Sequence, residues 1–177
     1  MTTGHVFIGT SLDGFIARRN GDIDWLVGFS ALGEDHGYDV HMARVEGLVM
    51  GRGTFETVRD FDPWPYDKPV LVLSRTLTPA AVPPQLAGKV EVLDASPQQA
   101  MEQAAARGWT GVYVDGGAVI QSFLRAGLIA DMVVSRVPVL IGEGRPLFGP
   151  LDADLALHHE WTRTFPSGLV QSFYRVG

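Results

Sequence analysis

Residues 48–58, LVMGRGTFETV, run from three apolar side chains through Gly51-Arg52-Gly53 into a segment suited to a helix. An apolar run without polar alternation reads as a strand buried on both faces, the pattern of a parallel sheet. A strand that passes straight into a helix leaves free backbone N–H groups and the positive end of the helix dipole at the junction. Two readings are open on this piece alone. It is a tight turn with a solvated arginine, or it is an anion seat. In the second, glycine admits a phosphate to the backbone, Arg52 offers a planar fork and Thr54 caps.

Working outward, the same alternation recurs. Short apolar runs at 6–9, 47–50, 69–73, 90–93, 111–114 and 132–137 predict strands. Segments 35–46, 54–60, 97–107 and 118–126 predict helices between them, with Ser96 as N-cap and Pro97 at the first helical position of one. Residues 155–164 and 169–176 flank FPSG, a hairpin signal. The expected fold class is α/β: a single three-layer α/β/α domain over residues 1–177, with a mainly parallel central sheet and an antiparallel C-terminal hairpin. In such a sheet ligands bind beyond the carboxyl ends of the strands. The ends at Gly51, Ser74 and Asp115 therefore carry the functional question. Val72-Leu73-Ser74-Arg75 ends in a hydroxyl and a guanidinium, which suit a phosphate monoester or an ordinary surface loop. In VYVDGGAVI (112–120), Asp115-Gly116-Gly117 joins a strand to a helix, and paired glycines let a ligand lie against the main chain.

Composition removes several classes. The 177 residues carry a formal charge of −6, with 14 Lys and Arg, of which only Lys68 and Lys89 are lysine. That is not the footprint of a nucleic-acid binder. Cysteine is absent, so neither disulfides nor thiolate metal sites are expected. No run approaches the ~20 apolar residues of a membrane helix, and MTTGHVFIGT lacks the features of a signal peptide. A cytoplasmic protein without nucleic-acid or membrane partners is expected. His158-His159 point to opposite faces of a strand and make a poor ligand pair. His36 and His41 have the wrong spacing for one helical face, and no metal site is expected. GRGTFE fails the Gly-x-Gly-x-x-Gly pattern at its last position, and no P-loop is present.

Taken in order, FIGTSLDGFIA (7–17), DIDWL (22–26), VMGRGTFETV (49–58), VLVLSR (70–75), VYVDGGAVIQSFL (112–124) and VPVLIGEGRPLF (137–148) resemble the dihydrofolate reductase fold. They are most similar to its branch related to the reductase domain of riboflavin biosynthesis. The resemblance implies NADPH as cofactor. It assigns Gly51, Arg52, Gly53 and Thr54 to the cofactor's phosphates and Ser74 and Arg75 to the adenosine 2′-phosphate. It places Gly116 and Gly117, joined by a cis peptide in the family, with Ala118, Val119 and Ile120 beside the cofactor. Gly9, Ile16 and Ala17 would line the nicotinamide end.

The same resemblance implies hydride transfer to a C=N bond, which needs ring-to-ring positioning and a proton source. Asp35 falls, by spacing, at the position of the carboxylate that supports protonation, with Asp39 one helical turn later. Phe7, Trp25, Asp39 and Ser135 would contact the substrate. Three functions follow as expectations: reduction of a pterin or related heterocycle, reduction of a ribosylaminopyrimidine in riboflavin biosynthesis, or NADPH binding without catalysis. The riboflavin substrate carries a ribose phosphate, for which Arg136 and Arg145 are candidates. The pathway enzyme often carries a fused zinc deaminase, and this chain would be the reductase half alone. The resemblance also implies a homodimer, with 142–148 and the last strands as the interface.

Overall fold

The run that precedes Gly51 forms β3 (Gly47–Gly51), buried in all but its last residue. It lies near the middle of an eight-stranded sheet in a computed structural model that describes residues 1–30 and 32–177. Five more strands run parallel to it: β1 (Thr3–Ser11), β4 (Val70–Leu73), β5 (Val90–Leu93), β6 (Gly111–Asp115) and β7 (Ile129–Val137). The closing hairpin, β9 (Leu157–Thr164) and β10 (Val170–Val176), adds antiparallel strands against β7. The order is β5-β4-β3-β6-β1-β7-β10-β9. The turn at FPSG closes with Phe165 N–H on the Leu169 carbonyl at 3.0 Å.

Period-two alternation divides the apolar residues between two cores. Val49, Leu71, Val112, Val114, Val6 and Ile8 pack against α4 (Pro97–Ala106) and α5 (Gly117–Arg125). Their immediate neighbours Leu48, Met50, Val70, Val72 and Tyr113 point the other way, against α2 (Tyr38–Met42) and α3 (Arg52–Val58). Near-continuous apolar strands are the requirement of a sheet covered on both faces, and the three-layer α/β/α architecture follows. The start of α4 is fixed as expected: Ser96 Oγ accepts from Gln99 N–H while the Gln99 side chain accepts from Ser96 N–H.

The structure departs from expectation before β3. Only Tyr38–Met42 of 35–46 is helical. Asp35 Oδ1 accepts from Gly37 N–H at 2.8 Å, and Gly37 sits at φ 81°, so a turn occupies the expected first turn of helix. At the other end, Glu46 N–H donates to the Gly111 carbonyl and draws the chain into the sheet. Among the elements not anticipated are α1 (Asp24–Ser30) and a two-stranded ribbon of β2 (Phe15–Ala17) and β8 (Arg145–Pro146). Strands of two or three residues carry no period to read. No helix among the described residues is long and apolar enough to cross a membrane.

Candidate functional site

A cleft of about 1000 Å³ opens beyond the carboxyl ends of β1, β3, β4 and β6, the edge at which open α/β sheets take their ligands. Its volume is at the upper end of small-molecule sites. Because β3 and β6 are neighbours, the starts of α3 and α5 converge. Gly116 adopts φ 93°, and a Cβ there would collide with Thr54 Oγ1. Neither helix start has a side-chain cap, whereas α4 has a reciprocal one. The uncapped N–H groups therefore meet on a floor of Gly51, Gly53, Gly116 and Gly117, all lining the cleft. The Gly116–Gly117 bond is trans, unlike the family expectation, and the reversal of direction comes from the positive φ of Gly116.

The other expected cofactor residues divide. Gly9, Ile16, Ala17, Arg52, Thr54, Ala118 and Val119 line the cleft, while Ile120 is fully buried behind it in the core of α5. Arg52 is held at its own helix: Nε pairs with Glu56 at 2.8 Å and Nη1 donates to Thr76 Oγ1 at 2.9 Å. Ser74 and Arg75 lie beside the cleft, whose wall is Leu73. Ser74 Oγ accepts from the N–H groups of Thr76 and Leu77 and so shapes its own turn. Arg75 is exposed, without an acidic partner among the described residues.

The substrate side differs more. Phe7 lines the cleft, with its ring edge-on to Tyr38 at 5.8 Å between centroids. Trp25 instead packs into a small core with Val137 and Leu169, leaving its neighbour Leu26 on the cleft. Leu26 reaches it because Gly9 has no side chain: a Cβ there would lie 2.6 Å from Leu26 Cδ1. Ser135 is buried under Gln171, whose amide donates to its hydroxyl at 2.9 Å. Asp35 and Asp39 are exposed and outside the cleft lining, Asp35 because its carboxylate closes the turn before α2. Arg136 is exposed on β7, away from the lining, whereas Arg145 belongs to it.

The carboxylate that does face the cleft is Asp115, the last residue of β6. Its Oδ1 accepts from Gly116 N–H at 2.8 Å and its Oδ2 from the Tyr66 hydroxyl at 3.4 Å. Burial pushes its carboxyl up to about 6, and the two hydrogen bonds only partly oppose this. Around it stand three phenols. Burial and the nearby aspartates Asp115, Asp67 and Asp39 push Tyr38 up to about 12. Burial, with Asp115 nearby, raises Tyr66 and Tyr113 well above the usual phenol range. Tyr113 donates to the Phe7 carbonyl at 2.8 Å. This end of the cleft thus offers flat apolar faces, protonated phenols and one carboxyl that titrates close to neutrality. A charged residue closing an otherwise apolar strand, VYVDGG, was the signal for Asp115 in the sequence. Nothing local marked Tyr38 or Tyr66.

Relatives share this frame. The Bacillus subtilis protein YwjB, itself uncharacterised, is 28% identical over 174 residues, covering 97% of each chain. A crystal structure from Shewanella sp. PV-4, described provisionally as a riboflavin biosynthesis protein, is 40% identical over 99% of both chains, with a TM-score of 0.89. Dihydrofolate reductase from Enterococcus faecalis, solved with NADP(H), superposes with a TM-score of 0.69 over 99% of this chain and 96% of its own at 15% identity, which shows the shared fold. The model of the RibD C-terminal domain matches residues 3–171, nearly the whole sheet and every wall of the cleft, and the chain belongs to that family.

Proposed function

We propose that the protein is an NADPH-dependent reductase that delivers hydride to the C=N bond of a pterin or related heterocycle. The observation that carries this reading is the cleft floor, where two helix starts without side-chain caps converge over four glycines. The cradle fits a dinucleotide. Two helix starts without side-chain caps turn their N–H groups to it, and the volume accommodates a second ring beside the cofactor. Gly51, Gly53, Thr54, Gly116 and Gly117 would hold the cofactor, with Ile16, Ala17 and Gly9 at its nicotinamide end.

A bound nicotinamide would supply the hydride. The chain's own part is to hold the substrate ring flat, exclude water and manage one proton. Phe7 and Tyr38 offer ring faces and edges for the first task. Leu26, Val58 and Phe61 line the apolar wall. Asp115 suits the third, since an acid whose pKa lies near the working pH both donates and recovers a proton readily. It takes the place that spacing had assigned to Asp35.

A second reading, reduction of a ribosylaminopyrimidine, is favoured by family membership and by the Shewanella relative. Titration of the protein with NADPH, followed by nicotinamide fluorescence, tests the cofactor. Loss of nicotinamide absorbance with dihydrofolate, other pterins and ribosylaminopyrimidines tests turnover. NADPH binding with every heterocycle left unreduced would favour a non-catalytic NADPH-binding protein, and no binding would sink the reductase reading.

A further inference from the structure

Two arginines line the cleft, Arg52 and Arg145. The sequence draws attention to Arg52, but Glu56 and Thr76 hold its guanidinium. Arg145 stands differently. It lies on β8, and β8 pairs with β2 across the mouth of the cleft: Phe15 faces Pro146 and Ala17 faces Arg145. Leu147 N–H donates to the Gly14 carbonyl at 3.0 Å and holds the ribbon down.

The guanidinium fills a slot made by two missing side chains. A Cβ on Gly53 would lie 2.7 Å from Arg145 Nη1, and one on Gly21 would lie 3.3 Å from Nη2. Nε donates to the Arg19 carbonyl at 3.3 Å, which fixes the root of the fork. The nearest acid along the chain, Glu143, is occupied by Arg19 at 2.8 Å. Both Nη groups are thus positioned, charged and without an acceptor among the described residues. The next residue, Pro146, turns its carbonyl to within 2.5 Å of where a Gly117 Cβ would stand. The ribbon therefore touches Gly53 with one residue and Gly117 with the next, spanning the glycine floor.

We propose that Arg145, held against Gly53 by the β2–β8 ribbon, is the cation that clamps the pyrophosphate of the dinucleotide from beside the floor; this rests on the reductase reading. Of a dinucleotide's groups, the pyrophosphate is the anion at its middle, and Arg145 meets the floor at Gly53, at the start of α3. Asp115, beside the floor, takes the Gly116 N–H on its own Oδ1, and the cations among the described lining residues are Arg52 and Arg145. A guanidinium fork gives two parallel N–H donors to phosphate oxygens. Because NADH and NADPH share the pyrophosphate, the clamp treats them alike.

The test is fluorescence titration of wild type, Arg145→Gln and Arg145→Lys with NADPH and with NADH, alongside thermal melts that establish folding. Arg145→Gln is expected to weaken both dinucleotides by the same factor, about tenfold or more, and Arg145→Lys by less. Inorganic pyrophosphate should displace NADPH from wild type at lower concentration than from Arg145→Gln. Unchanged affinity in Arg145→Gln while wild type binds NADPH overturns the clamp and leaves the reductase reading standing. A loss confined to NADPH would move Arg145 to the 2′-phosphate and overturns it equally. Failure of wild type to bind either dinucleotide overturns the reductase reading, and the clamp with it.

Discussion

Asp115 should make the fold less stable as pH rises, and the size of the effect follows from its surroundings. Its carboxyl titrates near 3.8 in an unfolded chain and is pushed up to about 6 in the fold, chiefly by burial. Between those values the folded state holds the proton more tightly than the unfolded state. Stability therefore falls with rising pH across that window, and the penalty is complete above about pH 6. The full displacement corresponds to about 3 kcal/mol, of which about 1 kcal/mol is already present near pH 4.5. Asp115→Asn keeps an oxygen for the Gly116 N–H and removes the ionisation. Any cost of the amide itself does not depend on pH, so the informative quantity is the change in the difference between variant and wild type. Urea unfolding of both proteins should show the variant gaining about 2 kcal/mol on wild type between about pH 4.5 and pH 8. The wild-type curve alone conceals this, because buried His41 titrates in the opposite sense over nearly the same range. A difference that stays constant with pH would refute the desolvation argument, and with it the case for a carboxyl poised near neutrality.

His41 supplies the converse. Burial pushes its imidazole down to about 4 from 6.5, with His5 and Arg44 adding to the effect and Asp131 opposing it. Full stability is therefore present above about pH 6.5, and up to about 3 kcal/mol is lost as pH falls toward 4. Among the described residues neither ring nitrogen has a hydrogen-bond partner, and the ring packs on Phe7 and Tyr113. His41→Phe should keep that packing and flatten the acid limb of the urea-unfolding profile; an unchanged limb would exclude His41 as its source. Gly116→Ala forces a side chain into a positive-φ site against Thr54 and should cost about 1–3 kcal/mol or more in unfolding free energy. It should also weaken NADPH in fluorescence titration, and a variant as stable as wild type would contradict the geometry. Asp35→Asn should leave kcat within about twofold, whereas Asp115→Asn should lower it by about a hundredfold, the usual scale of a lost general acid; the reverse ranking would restore Asp35 to the chemistry.

The frame of the molecule was legible because it is written in local patterns. Runs such as 48–50 and 70–73 are apolar at every position, and only a sheet covered on both faces makes use of both parities. Ser96-Pro97 fixed a helix start through chemistry that acts over three residues. Expectation failed where a local signal was outweighed. Residues 35–46 have helical composition, yet a left-handed Gly37 and an Asp35 carboxylate spent on its own turn leave one short helix. Ser74 Oγ accepts from the two N–H groups that follow it, which shapes the turn and leaves its O–H to donate. The glycine floor was readable because Gly-Arg-Gly and Asp-Gly-Gly each stand at a strand end. The side chains above it were not, since Tyr38, Tyr66 and Arg145 reach the cleft from segments whose relation to β3 and β6 is purely tertiary.

That division bears on how the cleft works. Its floor comes from consecutive residues at two adjacent strand ends, so its geometry is fixed by the sheet register, Leu48 with Tyr113 and Met50 with Asp115. Its polarity is shared: Asp115 and Tyr113 come from the same strand end, while Arg145, Tyr38 and Tyr66 come from distant segments. On the proposed reading, the uncapped N–H groups and Arg145 would seat a dinucleotide's phosphates on the glycines, with its ring toward the phenols. A buried carboxylate that costs about 3 kcal/mol near neutral pH is a poor choice for stability alone, and asparagine would meet the same Gly116 N–H without that cost. On the proposed reading, that ionisation serves to hold a proton beside the ring that would receive hydride, at the carboxyl end of β6.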